Sequence, residues 1–493
     1  SSGLICNGGN IINTTEGYWL ENSSIHPIAC LNETLRCKGG RLFDQCSKGF
    51  SGALCQGCDA QNDYTLSIGN QCKKCSTNLF NMVISYAASW IGSYALELYF
   101  LYTLIESNKN FVKMNTGSEE SKIKLLKFKQ KYYQGIETRL FTNYSQITYI
   151  IYIYVQYTFL QLIEYVNNAI LAFSLISNPS SQQSSSLECI FLRLGISPDG
   201  LVYFKLKYWI SMPIIKIFLT IIILALLKLK GKIHNLKNMI ITSAIFILMN
   251  EQPGLLLNLG KFSSCFLAEA TGGPGYVQLD PNISCADPQY ERFSKNFAIP
   301  AILFWGGVLP IAIFLILYIS RHRLDNPEFR IKYGGIINSY RNEVYYWGLV
   351  TMIYKLCLLL SLILIQAPST AFFTGLSITL VYYYLFRSLQ PYSSKAFVDL
   401  ENYSILTFIL TLYLLSYSSD GRYSTLLKGC ALLIIITNLA MIVYFAKKII
   451  ARILENRTLT RKINMDQGDR GISMIEDKST SLSTSLLSDP EES

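Results

Sequence analysis

After residue 78 the chain alternates long apolar stretches with short polar segments. A helix needs about 20 mostly apolar residues to cross the hydrocarbon core of a bilayer, which is about 30 Å thick. Nine stretches are of roughly that length, so we predict an all-α polytopic membrane domain over residues 79–448. The predicted transmembrane helices are 79–104, 142–164, 203–227, 238–260, 298–320, 343–366, 371–391, 402–418 and 425–447.

Lysine and arginine are concentrated in every second loop between these stretches. Because cytoplasmic loops carry such an excess, we predict an extracellular or lumenal N-terminus and a cytoplasmic C-terminus, in the plasma membrane or an endomembrane. The chain is 50% hydrophobic and only 15% charged, whereas soluble proteins average about 25% charged residues. This composition excludes an ordinary cytosolic enzyme. The net charge of +10 is explained by the basic loops. It therefore does not indicate a nucleic-acid partner.

Residues 1–78 are predicted to form a separate, small ectodomain. Most of the 13 cysteines lie there, which is typical of secreted domains too small to hold a core without cross-links. Triplets that begin at Asn13, Asn22, Asn32 and, in a later external loop, Asn282 predict N-glycosylation. The chain begins without Met, and a secreted head leads us to expect that a signal peptide has been removed.

The cysteine spacing in this head has competing interpretations. Cys55-Gln-Gly-Cys58 and Cys72-Lys-Lys-Cys75 have the outline of a four-cysteine zinc ribbon, and the second pair alone has the spacing of a redox motif. However, the stretch from Cys46 to Cys58 resembles the second half of a laminin-type EGF-like module. That resemblance implies the disulfides Cys46–Cys55 and Cys58–Cys72. We favour disulfides over a metal site because the head is predicted to face an oxidising compartment.

The other cysteines are assigned less completely. Cys265 and Cys285 lie in one external loop, and we predict that they form a disulfide, which leaves Cys189 unpaired. The remaining head cysteines are expected to pair among themselves, in an order that the sequence does not determine. They are Cys6, Cys30, Cys37 and Cys75.

Ionisable residues at membrane depth are costly and are therefore candidates for function. Lys216, Glu251 and Lys355 lie near the middle of three predicted spans, and Glu97 lies farther from the middle of the first. We expect Glu251 to be bridged by Lys216 or Lys355. Either the group is a site or gate, or it is a buried ion pair that only fixes helix packing. Two cations against one anion fit an anionic ligand, such as a lipid headgroup or an organic anion.

The sequence Asn250-Glu251-Gln252-Pro253-Gly254 predicts a break in the fourth helix, since proline removes a backbone donor. Unwound backbone at this depth is buried in protein or lines a water-filled cavity. We therefore expect Asn250, Glu251 and Gln252 to face the interior of the bundle.

Two cytoplasmic segments carry further predictions. The basic segment Lys122–Lys131 has helical spacing and either lies on anionic lipid of the cytoplasmic leaflet or only sets the orientation. Residues 449–493 form a cytoplasmic tail, which is predicted to be disordered after 466 because it is rich in Ser, Thr, Asp and Glu.

The sequence contains no recognisable enzymatic motif. Its 3 histidines are scattered, and it lacks a phosphate-binding loop, a nucleophile elbow and a zinc-protease motif. We therefore expect no catalytic residues, no cofactor and no metal.

Several short motifs follow one another along the chain: Asn178-Pro-Ser, Ser186-Leu-Glu-Cys189, Gln252-Pro253, Tyr333-Gly-Gly, Tyr340-Arg-Asn-Glu-Val-Tyr345-Tyr346-Trp347, Lys355, and Gln390-Pro391-Tyr392 with Glu401 and Ser404. Together with the cysteine-rich head, they resemble multi-pass transmembrane proteins predicted from ciliate genomes. The stretch 298–448 resembles, more distantly, the TRP-like family of fungal flavin-carrier and polycystin-like proteins.

The TRP-like resemblance implies a channel- or transporter-like protein that moves or senses an ion, a lipid or an organic anion within the helical bundle. The alternative is a non-conducting receptor, adhesion or scaffold protein that binds an extracellular protein through its ectodomain. We expect contacts with membrane lipids in both cases, and a homo-oligomer is compatible with both.

Overall fold

The computed structural model describes residues 3–6, 12–21, 26–30, 36–41, 44–66, 71–116, 122–158, 184–231, 235–267, 275–365, 367–418 and 424–485. Over these residues the protein is a helical membrane domain with a strand-rich, disulfide-bonded head. The predicted glycosylation sites Asn22 and Asn32 lie outside the described residues, as does the motif at Asn178.

The helices of the described ranges follow the head in chain order. They are α1 (Leu79–Thr116), α2 (Lys122–Thr158), α3 (Ser184–Arg193), α4 (Leu201–Leu229), α5 (Leu236–Ser263), α6 (Pro288–Ile319), α7 (Pro327–Ile337), α8 (Trp347–Leu364), α9 (Pro368–Leu389), α10 (Lys395–Ser418) and α11 (Ser424–Ser485).

Within the described residues, 7 helices are long and apolar enough to cross a membrane, judged by length and composition. These are α4, α5, α6, α8, α9, α10 and α11. The predicted span 79–104 lies on α1, and the described part of the predicted span 142–164 lies on α2. Both helices are outside this group. The multi-pass architecture is therefore clear, whereas the predicted count of nine spans is not established.

The side chains of α4 are distributed as a lipid environment requires. Ile214 and Phe218 are 66% and 62% exposed on its outer face, whereas Lys216 between them is almost fully buried. Large contiguous patches of exposed apolar side chains are rare on water-soluble domains. In a bilayer they contact acyl chains, while polar side chains such as Lys216 lie inside the bundle.

The prediction of a loop over 105–141 and of a disordered tail differs from the structure. Residues 105–141 are mostly helical, because α1 continues to Thr116 and α2 already begins at Lys122. The tail after 466 continues α11 to Ser485. No proline interrupts the chain from Ser424 until Pro490, and extending an existing helix costs far less than nucleating a new one.

The fourth predicted span is not broken. Helix α5 runs continuously through Pro253 and Gly254, both of which are buried. Proline is tolerated in transmembrane helices when neighbouring groups satisfy the freed backbone. In the turn before Pro253, Nε2 of Gln146 on α2 donates a hydrogen bond to the backbone oxygen of Asn250, at 3.1 Å, so a neighbouring helix supplies a donor to this part of α5.

Helix α6 contains two π-helical turns, Ser294–Ala298 and Phe304–Val308. Such turns leave carbonyl groups without a regular partner and are frequent at functional sites. One of these carbonyls, that of Trp305, accepts a hydrogen bond from Nε2 of Gln252 at 2.7 Å. Gln252 thereby joins α5 to α6.

The head is built from short antiparallel strands around a core of Trp19, Leu54 and disulfides. The sheets are β1-β2-β5, β3-β4, β6-β7 and β8-β9. The strands are β1 (Leu4–Cys6), β2 (Ile12–Thr14), β3 (Tyr18–Trp19), β4 (Ile28–Ala29), β5 (Gly40–Arg41), β6 (Phe50–Ser51), β7 (Gly57–Cys58), β8 (Tyr64–Leu66) and β9 (Cys72–Lys74). A further hairpin, β10 (Cys265–Phe266) and β11 (Tyr276–Val277), follows α5.

The disulfides coincide with the predicted pairs Cys46–Cys55, Cys58–Cys72 and Cys265–Cys285, and Cys30 bonds to Cys37. The zinc-ribbon alternative fails because its cysteines are oxidised. The prediction that Cys75 pairs within the head and Cys189 stays unpaired is wrong: these two cysteines bond to each other. The reason is that α3 packs beside the start of α1, where Cys75, Met82 and Cys189 share a small core.

Candidate functional site

Lys216 on α4 lies between two carboxylates inside the bundle. Its Nζ is 2.8 Å from Oε2 of Glu97 on α1, and it also donates a hydrogen bond to Glu251 on α5. All three side chains are at most 3% exposed. Charges buried to this degree are tolerated only when they are paired and hydrogen-bonded. Glu97, the weaker candidate from the sequence, is therefore a full member, and the cluster has two anions for one cation.

Neighbouring hydroxyl groups fix α1 against α4 at this depth. The Tyr94 hydroxyl lies 2.8 Å from Oγ1 of Thr220, and it donates to the backbone oxygen of Lys216 at 3.3 Å. Because Tyr94 precedes Glu97 by three residues, both side chains face α4 from the same side of α1. The pairing of Lys216 and Glu97 thus follows from the register of the two helices.

A chain of amide groups continues from this cluster across the bundle. Asn250 donates from Nδ2 to Oε1 of Glu97 at 3.0 Å, and Gln146 on α2 donates from Nε2 to Oδ1 of Asn250 at 3.0 Å. Lys355 on α8 donates from Nζ to Oε1 of Gln146 and to Oδ1 of Asn143, both at 2.7 Å. Lys355 therefore reaches the cluster through amides. Of the two cations predicted as partners of Glu251, Lys216 pairs with it, whereas α2 supplies hydrogen-bond partners of Lys355.

A cavity of about 80 Å³ lies beside Lys355. It has room for several water molecules. The polar side chains that line it come from α2, α5, α7, α8 and the segment that follows α7. They are Arg139, Thr142, Asn143, Gln146, Thr242, Asn250, Gln252, Lys332, Tyr333, Tyr340, Thr351 and Lys355. Among the described residues that line the cavity, three are cations and none is an aspartate or glutamate.

Arg139 is the most unusual of these residues. Its Nη1 donates to the backbone oxygen of Gly335 at 2.6 Å, and its guanidinium lies over the ring of Tyr340, with 4.7 Å from Cζ to the ring centroid. Its Nε and Nη2 are shielded from solvent and have no hydrogen-bond partner among the described residues. Buried donors without acceptors are costly and are rare in native proteins, so an oxygen acceptor that reached this edge would remove an energetic penalty.

The sequence did not single out Arg139, Asn143, Gln146 or Lys332 as site residues. Their spacing could have indicated a shared site, because residues 139, 143 and 146 lie on one face of a helix. It was missed because the second span was predicted to begin at 142, which placed Arg139 in a loop. Lys332 lies on α7, within a segment also predicted to be a loop.

The basic segment Lys122–Lys131 is the start of α2 and combines exposed lysines with exposed leucines. Leu125 and Leu126 are 37% and 42% exposed, beside the exposed Lys124. Lys131 forms an ion pair with Glu106 of α1, with 2.8 Å between Nζ and Oε1. Burial alone would raise the pKa of Glu106, but the hydrogen bond and charge of Lys131 outweigh it and hold that pKa below its ordinary value.

The head is docked on the loop that joins α5 to α6. The Ala53 N–H donates to the carbonyl of Pro281 at 3.0 Å, and the Ser51 hydroxyl donates to Oδ1 of Asn282 at 2.7 Å. Nearby, the Tyr276 hydroxyl donates to Glu21 at 3.2 Å. Burial and the carboxylate of Glu21 raise the pKa of Tyr276 to about 12, which keeps it a donor. The head is therefore connected to the end of α5.

This docking bears on the predicted glycan at Asn282. The Nδ2 group of Asn282 donates to the backbone oxygen of Cys58 at 3.3 Å and to Oδ1 of Asp280 at 3.0 Å. An N-linked sugar replaces one hydrogen of that nitrogen, so a glycan would displace one of these two bonds. Glycosylation at Asn13 and Asn282 stays a prediction.

One known protein is similar over part of the chain. The chain is 22% identical over 195 residues to "Cysteine repeat modular protein A" of Toxoplasma gondii. The similarity is to a cysteine-repeat protein. It covers 38% of this chain and only 6% of that protein's length. No protein-family model matches the sequence, and no solved structure matches it significantly. The similarity, the disulfide-rich head and the apolar helices fit a membrane protein with a cysteine-rich ectodomain.

Proposed function

We propose that this is a channel- or transporter-like protein that moves or senses an ion, a lipid or an organic anion within its helical bundle. The observation that carries the proposal is the cavity beside Lys355, which is lined by three cations and by no carboxylate among the described residues. Ionisable groups at membrane depth that face a cavity mark substrate or ion pathways. The excess of positive charge favours an anionic species.

The proposed site is centred on Lys355 instead of Glu251. Lys216, Glu97 and Glu251 pair with one another at no more than 3% exposure, so they serve the packing of α1, α4 and α5. Lys355 has neutral amide partners, Asn143 and Gln146, and its positive charge is available to a ligand. Asn250 and Gln252 line the same cavity from α5.

A flux assay with the full chain in liposomes tests this proposal. We expect the wild-type protein to pass one of the probes potassium, chloride or inorganic phosphate, and Lys355→Gln to reduce that flux several-fold. Arg387→Gln is the matched control, because Arg387 is exposed at the end of α9. Absence of flux for every probe, or equal flux in wild type and Lys355→Gln, would contradict the proposal.

A second candidate is a non-conducting receptor, adhesion or scaffold protein. It is favoured by the contacts of Ser51 and Ala53 with the loop after α5, since a partner on the head would act directly on the helix that carries Asn250. Hydrogen exchange of the full chain in nanodiscs, with an antibody fragment against residues 1–78 as the probe, tests it. A receptor predicts altered exchange around Asn250, whereas exchange altered only at the epitope argues against it.

The proposal includes four further predictions from the sequence. They are an EGF-like head, membership of the TRP-like family, an extracellular or lumenal N-terminus, and residence in the plasma membrane or an endomembrane. We also propose a non-enzymatic role, anionic lipid at Lys122–Lys131, an extracellular protein partner of the ectodomain, and a homo-oligomer. The exposed Leu125 and Leu126 beside Lys124 support the lipid contact, because leucines insert where lysines meet headgroups.

A further inference from the structure

We infer that the cavity beside Lys355 binds a phosphate group, supplied either by a lipid headgroup or by a soluble phosphate or phosphomonoester. This inference rests on the proposed function and names its ligand class. Three features of the cavity carry it: the charge that faces it, the free edge of Arg139, and its size.

The charge around the cavity matches a dianion better than a monoanion. Arg139, Lys332 and Lys355 line it. Glu401 interacts electrostatically with Arg139 and Lys355, but it accepts its hydrogen bond from Tyr382 at 3.2 Å and does not line the cavity. Glu401 therefore reduces the excess positive charge around the cavity but does not cancel it. A phosphate monoester carries about −1.5 to −2 at neutral pH, whereas a carboxylate carries only one negative charge.

The geometry of Arg139 favours an anion with two oxygens side by side. Nε and Nη2 form the lateral edge of a guanidinium, the edge that binds phosphate or carboxylate with two parallel hydrogen bonds. In this protein Nη1 is occupied by Gly335, while Nε and Nη2 are shielded from solvent and have no partner among the described residues. An oxyanion in the cavity reaches them after a small shift of the Arg139 side chain. Lys355 uses two of its three N–H groups on Asn143 and Gln146 and retains one for a further oxygen.

The size of the cavity limits what enters it. A volume of about 80 Å³ accommodates a tetrahedral oxyanion and is well below the about 300–1,000 Å³ of pockets that hold drug-sized ligands. The acyl chains of a lipid would therefore remain outside, among the exposed apolar side chains of the bundle. A soluble phosphate would occupy the same position without them.

Calorimetric titration of the full chain in phosphatidylcholine nanodiscs tests the inference, with inorganic phosphate, methyl phosphate and acetate as soluble probes. A second arm uses nanodiscs that contain phosphatidic acid and follows the lipid retained by native mass spectrometry. We expect Arg139→Lys, which keeps the charge but loses the lateral edge, to weaken the phosphate interaction about tenfold. Arg321→Gln is the matched control, because exposed Arg321 also lies over a tyrosine ring, at 4.5 Å from Tyr318.

The outcomes separate the two sources and separate this inference from the proposed function. Binding of the soluble phosphates identifies a soluble ligand, and retention of phosphatidic acid alone identifies a lipid headgroup. The inference is overturned if the soluble phosphates bind no more tightly than acetate and phosphatidic acid is not retained, or if Arg139→Lys binds the phosphate ligand like the wild type. Flux without phosphate binding rejects the inference and keeps the proposed function. Phosphate binding without flux keeps the inferred ligand class and rejects the proposed function. Lys332→Gln, at a partly exposed site, repeats the test if Arg139→Lys fails to fold.

Discussion

Lys355 and Gln146 form the junction between the cavity and the buried ion cluster of this protein. Nζ of Lys355 donates to Oε1 of Gln146 at 2.7 Å. The amide nitrogen of the same glutamine donates to Asn250, which in turn donates to Glu97. A cation beside an open space is thus connected through amides to a lysine that two glutamates already neutralise. The two lysines perform different tasks, because Lys216 contacts two carboxylates whereas Lys355 donates to neutral amides.

Removing Lys216 should destabilise the membrane domain strongly. The substitution Lys216→Gln leaves Glu97 and Glu251 buried without their cation, and breaking a buried ion pair costs about 3–5 kcal/mol. We expect a clear loss of thermal stability in detergent. Lys228→Gln, at an exposed position near the end of the same helix, should melt like the wild type. Equal melting of Lys216→Gln and wild type would contradict the structural role of the cluster.

The buried charges could be found from the sequence, but their partners could be found only in part. Lys216 and Glu251 stand out because ionisable residues at membrane depth are rare, and Lys216 was one of the two partners predicted for Glu251. The partners of Lys355 and the full role of Glu97 depend on which helices are neighbours and how each is rotated. Hydropathy specifies neither of these properties, since every helix of a bundle is apolar on most sides.

The disulfide between Cys75 and Cys189 should hold α3 against the start of α1. It closes a loop of 114 residues, and cross-links of long loops stabilise proteins by about 2–5 kcal/mol. We expect the double substitution Cys75→Ser and Cys189→Ser to lower the melting temperature, measured without reductant. Cys357→Ser removes a free, exposed cysteine and should have little effect. An unchanged melting temperature in the double variant would contradict this role.

The docking of the head should depend on Gly52. This residue has a φ of +73°, and an added Cβ would lie 2.7 Å from the carbonyl oxygen of Pro281. Gly52→Ala therefore combines backbone strain with a clash at the docked loop. Gly195→Ala is matched for strain, because Gly195 has a φ of +85° but open space around its Cβ position.

We expect hydrogen exchange in residues 276–285 to rise in Gly52→Ala and to stay at the wild-type level in Gly195→Ala. Equal exchange in both variants would show that backbone strain alone explains the effect and that the head is not held by this contact. Melting curves of the two variants provide a second comparison of the same difference.

The sequence predicted local features of the fold better than contacts between distant segments. Apolar length located the helices, and two of the head disulfides followed from an EGF-like resemblance over about a dozen residues. Cys189 was left without its partner because α3 lies far from the head in the chain. Pro253 indicated a broken helix, although buried side chains around α5 allow the helix to continue. Each of these errors concerns packing between elements.

The most direct test of the central claim is the accessibility of the cavity to charged reagents. Met352 lines the cavity, whereas the adjacent Ile353 is 48% exposed on the outside of α8. In a Cys357→Ser background, we expect Met352→Cys to react faster with an anionic thiol reagent than with a cationic one, because three cations line the space. Ile353→Cys, facing lipid, should react with neither. If Met352→Cys is inert, or prefers the cationic reagent, the cavity is not an anion site.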